Sequence, residues 1–222
     1  MRAVRGGARR GGGAGPGLAG WHWGSAGRLP SVAAMSMQWL SRFGAVCGVV
    51  LGLSLGVPGA VETFTGETAV TSFVVGLGAA FGAPALLAFQ LRQAEAAGRF
   101  GAVAFAVNLI GLGLFTGVAF ALNLVVFFLD PAVAESVLAG PTRLAVLGSA
   151  VVFVVGTVLF GVSMARSRVL PRIPAWGYAS TLTALALLAA QPDSVLTSLV
   201  HVLACVSVVW LSLSVWPVPS RP

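Results

Sequence analysis

From Phe43 onward, charged or proline-containing breaks divide the chain into six runs without a single Asp, Glu, Lys or Arg: 43–61, 68–91, 100–129, 144–165, 173–192 and 194–220. A helix of about 20 apolar residues crosses a hydrocarbon core of about 30 Å. Inside such a core every backbone N–H and C=O must be satisfied within its own segment, which selects helix over an open strand. Each run therefore supplies one span. The expected fold is an all-α polytopic transmembrane bundle of six helices. The fifth run is the shortest, with its apolar part confined to 175–190 between Pro174 and Pro192. The third exceeds what a bilayer needs, so it must tilt, bend or project, and Gly111, Gly113 and Gly117 in its middle would permit a bend.

Composition agrees. The chain is 57% hydrophobic and 9% charged, with a mean hydropathy of +0.95, whereas a soluble domain carries about 25% charged residues. That excludes a soluble enzyme and a disordered protein, and two cysteines are too few for a secreted disulfide scaffold. The net charge of +7 comes from 13 basic residues, all of them Arg. Such an excess can mark a nucleic-acid binder, but here its distribution fits membrane topology, and no nucleic-acid partner is expected. Twelve Arg fall on one side of the six runs and Arg143 alone on the other. Glu62, Glu67, Asp130, Glu135 and Asp193 partition the opposite way, and Trp39, Trp176 and Trp216 stand at the Arg-rich ends. By the positive-inside rule the Arg-rich side is cytoplasmic, and both termini with it.

Three regions follow. Residues 1–42, rich in Gly and Arg, lack a hydrophobic period and are expected to be disordered. Met35 and Met37 stand just before the first run, and either is a candidate for the true start. Residues 43–216 form the transmembrane domain, and 217–222 a short cytoplasmic tail. An alternative for the first run is a signal peptide cleaved after Ala60, for which Pro58 is an unfavourable neighbour.

Gly44, Gly48, Gly52 and Gly56 recur at every fourth position of the first span, giving a smooth stripe that admits a close partner helix. This glycine-zipper pattern is the main packing signal; its partner, another span or a second subunit, stays open. Counting 1.5 Å per residue places Asn123, Ser149 and His201 at a similar depth, about 10 Å below the outer surface. They are the candidate polar layer. Asn123 also closes a repeat, Val118-Ala-Phe-Ala-Leu-Asn123-Leu, which echoes Val103-Ala-Phe-Ala-Val-Asn108-Leu.

No catalytic, metal or cofactor motif is present. Cys47 and Cys205 are isolated and at different depths, and no carboxylate lies inside a run, which argues against proton-coupled transport. Ser149 sits in Leu147-Gly148-Ser149-Ala150, not in the GxSG of rhomboid proteases. No catalytic residue, cofactor or metal is assigned, and an enzyme is disfavoured.

The stretches Val57-Pro-Gly-Ala-Val-Glu-Thr-Phe-Thr-Gly-Glu-Thr68, Leu129-Asp-Pro, Gly140-Pro-Thr-Arg143 and Pro174-Ala-Trp-Gly-Tyr178 resemble uncharacterised multi-pass membrane proteins of high-GC actinobacteria. The likeness spans about 43–216 and implies a plasma-membrane location without implying an activity. The leading expectation is a non-enzymatic structural or accessory component in the lipid bilayer, a homo-oligomer or a partner of another membrane subunit. The alternative is a small transporter or permease subunit whose polar layer lines a path. A path needs Asn123, Ser149 and His201 to converge on a cavity; a structural role lets them pair off in dry contacts.

Overall fold

The computed structural model describes residues 32–189 and 194–216. The expectations for residues 1–31 and for the tail 217–222 lie outside the described residues. Seven α-helices are described: α1 Val32–Thr65, α2 Ala69–Gly78, α3 Gly82–Leu124, α4 Pro131–Leu138, α5 Pro141–Ser167, α6 Arg172–Leu188 and α7 Val195–Val215. A 3-10 turn, Ala79–Phe81, joins α2 to α3, and another, Val126–Phe128, follows α3. No strand occurs among the described residues.

Two boundaries differ from the sequence expectation. Helix α1 begins at Val32, so 32–42 is helical and not disordered; Ser36-Met37-Gln38-Trp39-Leu40 has no helix breaker to stop it earlier. At its other end α1 runs through Pro58 to Thr65, carrying Glu62 on the helix. The overlong third run needs no bend either. Its helix is uninterrupted from 99 to 124, and the break lies at Gly98, where φ is 56° and ψ −149°. Only glycine adopts that region without strain, and there the chain folds back on itself.

The reversal is visible in cross-contacts. The Thr116 hydroxyl donates to the Ala79 carbonyl at 3.4 Å, Gly82 faces Leu112 and Gly76 faces Leu124. The limb before Gly98 thus runs antiparallel to the limb 99–124. The same logic orders the other neighbours. Gly44 meets Pro84 and Ala88, Gly156 meets Asn108, Gly161 meets Ala179, and Gly177 meets Ser207. Finally Gly48, Gly52, Gly56 and Gly59 meet Ser212, Val209, Cys205 and His201 in reverse order. Helix α7 therefore returns to α1, and the long helical segments close into a ring of alternating direction.

Local caps follow residue chemistry. Thr68 and Thr71 form a capping box at the start of α2, and Ser194 and Thr197 repeat it at α7. Asp130 accepts from the Ala132 N–H at 3.0 Å ahead of Pro131 at N1 of α4.

Four segments are long and apolar enough to cross a membrane: Ser36–Thr65, Ala69–Phe128, Pro141–Ser167 and Val195–Val215. The second is the one folded back at Gly98. Helix α6 has 17 residues, about 25 Å at 1.5 Å per residue, slightly short of a full hydrocarbon core. The outer surface of the ring is apolar, with Leu144 73% and Ile110 62% exposed. A surface of that kind is stable when lipid covers it.

Ring alternation gathers Glu62, Glu67, Asp130 and Glu135 at one end and Arg42, Arg92, Arg99, Arg166 and Arg172 at the other. Toward the Arg-rich end the interior is filled. Leu86, Phe89, Phe160, Met164, Val208 and Leu211 are almost completely buried. Tyr178 meets Phe89 and Phe160 edge-on, with centroids 6.4 and 6.2 Å away, a geometry the aromatic quadrupole favours. Toward the acidic end the filling stops.

Candidate functional site

At the acidic end the ring encloses a cavity of about 410 Å3. Leu51 and Leu55 of α1, Leu112 and Phe115 of α3, Phe153 of α5 and Leu182 and Leu185 of α6 form its apolar wall. Phe115 and Phe153 stack with centroids 4.5 Å apart and planes 7° from parallel. Among the described residues, six polar side chains interrupt the wall: Glu62, Glu67, Thr116, Asn123, Thr197 and His201. The volume lies in the range typical of small-molecule sites, about 300–1,000 Å3, and so does the mixture of apolar lining with a few polar groups.

The three candidate polar-layer residues separate here. Asn123 and His201, from α3 and α7, line the same cavity. Ser149 does not line it; its hydroxyl donates to the Ala145 carbonyl one turn back at 2.7 Å. Depth was readable from residue counting, but Ser149 faces another direction.

The polar groups of the cavity are held by their own backbone. Asn123 Nδ2 donates to the Ala119 carbonyl at 2.8 Å, and the Thr197 hydroxyl donates to the Ser194 carbonyl at 2.7 Å. His201 Nδ1 lies 2.8 Å from the Thr197 carbonyl oxygen. A carbonyl only accepts, so Nδ1 carries the hydrogen, and in the neutral ring Nε2 is left as an acceptor. Glu67, although exposed, is fixed at the mouth by the buried Ser72 hydroxyl, which donates to its carboxylate at 2.6 Å.

Glu62 and Glu67 are the cavity-lining residues that sequence reasoning missed, having counted them only as loop charges. The usable signal was local. Nothing between Ala60 and Thr65 stops a helix, so Glu62 had to ride on the end of α1.

A second polar group lies just beneath the floor. Asn108 Nδ2 donates to the Tyr178 hydroxyl oxygen at 2.8 Å, and the Thr157 hydroxyl donates to Asn108 Oδ1 at 3.3 Å. Each of the three stands one helical turn below a wall residue of its own helix: Asn108 under Leu112, Thr157 under Phe153, Tyr178 under Leu182. Nearer the Arg-rich end, the buried Gln93 accepts from Ser167 at 3.4 Å.

The glycines of α1 have defined neighbours. A Cβ on Gly44 would lie 2.5 Å from Ala88 Cβ and from the Pro84 carbonyl oxygen, and one on Gly52 2.8 Å from Val209 Cγ2. Cβ atoms on Gly48 and Gly56 would collide with Ser212 and Cys205. An equally tight backbone approach lies between α3 and α5. There a Cβ on Gly111 would stand 2.6 Å from Phe153 Cα, and one on Gly156 2.5 Å from Asn108 Cα. Gly113 and Gly117, which share the four-residue spacing, face open space.

Among the described residues no three His, Cys, Asp or Glu side chains gather closely enough to hold a metal, and Cys47 and Cys205 are free thiols. The chain matches no model of a known protein family, no curated protein and no solved structure.

Proposed function

We propose that this chain is a multi-pass plasma-membrane protein that takes a small amphipathic molecule into the ring from the outer face, as a transporter or permease subunit. In this reading all six long helical segments cross the bilayer, α6 by a slight local thinning, and both termini are cytoplasmic. The observation that carries it is convergence. Glu62 and Glu67 around the end of α1, Asn123 of α3 and His201 of α7 line one cavity, with Thr116 and Thr197 beside them and a wall that is mainly apolar.

Accessibility tests the reading directly. A cysteine at Ala119 or Leu185, introduced into a Cys47→Ala/Cys205→Ala background, should react from outside with a small water-soluble thiol reagent. Silence at both positions in intact cells would mean a sealed interior and would return the chain to the structural class.

A second reading, an accessory subunit docked on another membrane protein, rests on Gly113 and Gly117. They are exposed and one turn apart on α3, the small-xxx-small spacing that brings membrane helices together. Gly117→Leu should then abolish co-purification of the partner while leaving the cavity cysteines reactive.

A further inference from the structure

The end of the ring opposite the cavity carries positive charge that the chain's own carboxylate side chains do not balance. We infer that the reversal between α5 and α6 is a docking surface for an anionic phospholipid, held by its headgroup phosphate in the leaflet that faces this end. The surface is separate from the cavity, and the inference rests on the reading that the ring crosses the bilayer.

The whole sequence holds six Asp and Glu. Glu62, Glu67, Asp130 and Glu135 gather at the cavity end, and Asp193 immediately precedes Ser194, the cap of α7 at that end. Only Glu95 is left for the other end, where it lines a cleft with Arg92. Against it stand Arg42, Arg92, Arg99, Arg166, Arg168 and Arg172. Segments 1–31 and 217–222 contain no Asp or Glu, so they bring no further carboxylate side chain.

Four of these arginines belong to one stretch of surface. The Arg166 guanidinium carbon lies 5.6 Å from the ring centroid of Phe100, the chain neighbour of Arg99. Arg168 and Arg172 follow in the short reversal that leads into α6. All four are exposed, while the reversal is anchored from beneath by the buried Leu170, Pro174 and Ala175. Arg168 has φ 58° and ψ 13°, the left-handed conformation that glycine usually takes after a helix. It is the one non-glycine residue of positive φ among the described residues. Glycine would make the same turn without strain; what arginine adds there is a charged side chain.

Apolar groups flank the charges. Phe100, Val169, Ile173 and Trp176 are exposed, Ile173 by 74%. Guanidinium groups bind phosphate oxygens through paired N–H donors, and clustered arginines beside a membrane attract anionic lipid. Tryptophan suits the headgroup level, and the aliphatic side chains suit acyl chains. A soluble phosphate would use the arginines alone; an anionic phospholipid uses both halves of the surface.

Native mass spectrometry of the delipidated full-length protein in mild detergent tests this, with phosphatidylglycerol and phosphatidylcholine of identical acyl chains as probes. The wild type should take up phosphatidylglycerol about tenfold more tightly than phosphatidylcholine. Arg166→Gln/Arg168→Gln/Arg172→Gln should bring the two lipids level, whereas Arg42→Gln/Arg92→Gln, at the same end, should keep most of the preference. If the triple variant does not survive purification, Arg168→Gly, which relieves the turn, should hold or raise the melting temperature and still reduce the preference. Equal binding of both lipids by the wild type, a preference that survives the changes in the reversal, or an equal loss in Arg42→Gln/Arg92→Gln overturns the site while the spanning reading stands. Displacement of phosphatidylglycerol by an equal concentration of glycerol phosphate would make it a soluble-anion site and overturn the lipid assignment. If neither lipid adds to the wild type, the spanning reading falls as well.

Discussion

The Asn108 amide and the Tyr178 hydroxyl meet at 2.8 Å between α3 and α6, beneath the floor of the cavity. Thr157 adds a third helix by donating to the other end of the same amide. Asn108 and Thr157 have no solvent exposure, so each group depends on its partners. Hydrogen bonds between membrane helices are worth about 0.6 kcal/mol on average and up to about 1.7. Tyr178→Phe should cost about 1 kcal/mol, and Asn108→Leu more, because it strands two hydroxyls. The double variant should be less destabilised than the sum, since removing both partners avoids an unsatisfied buried group. Thermal unfolding in detergent, followed by circular dichroism, reads the cycle; strict additivity would show that the bond contributes nothing.

Glycine position should decide the sign of a Gly→Ala change. At Gly156 the new Cβ would stand 2.5 Å from the Asn108 Cα, so α3 and α5 must separate, and a loss of about 1–3 kcal/mol is expected. Gly98 has no neighbour within 4 Å, yet its φ of 56° and ψ of −149° are strained for alanine by about 1–3 kcal/mol. Gly113 has no neighbour and lies inside a regular helix, where alanine is the better helix former by up to about 1 kcal/mol. The expected order of melting temperatures places Gly113→Ala at or above wild type and the other two below it. A loss at Gly113 equal to that at Gly156 would contradict the contact geometry.

The seam between α1 and α7 should be sensitive to bulk and tolerant of polarity. Gly48→Leu would push into Ser212 and Gly52→Leu into Val209, each costing about 1–3 kcal/mol of overpacking. His201→Gln retains a hydrogen-bonding side chain and should lower the melting temperature less than either. A larger loss for His201→Gln would mean that the imidazole holds the seam together.

Topology has its own test. Thr65 and Ser136 are exposed at the acidic end of the ring, and Ala96 is exposed at the Arg-rich end. In the Cys47→Ala/Cys205→Ala background, cysteines at Thr65 and Ser136 should react with an impermeant reagent on intact cells, and one at Ala96 only after lysis. Labelling of all three without lysis would break the six-span arrangement.

What could be read from residues alone was position along each helix. Charged breaks mark the helix ends, Asp130-Pro131 marks the start of α4, and counting residues places Asn123, Ser149 and His201 at one depth. Rotation about the helix axis could not be read, because it depends on which neighbours fill which grooves. Asn123 and His201 turn into the cavity, whereas Ser149, at the same depth, turns away. The glycines make the same point. Gly113 and Gly117 share the spacing of Gly48 and Gly52, yet only the latter pair meets another helix. Glu62 was hidden for a different reason: an acidic residue beside an apolar run reads as the beginning of a loop, and here the helix continues past it.

Because α7 packs on the glycine face of α1, the ring has an order of assembly imposed by synthesis. The first helix emerges from the ribosome without its partner, and all the intervening helices must be made before α7 arrives. At about 5–20 residues per second that interval is on the order of ten seconds. Throughout it, the grooved side of α1 lies against lipid or a membrane chaperone, and the nascent ring stands open as a crescent. The last long helix to be made is therefore the one that closes the ring.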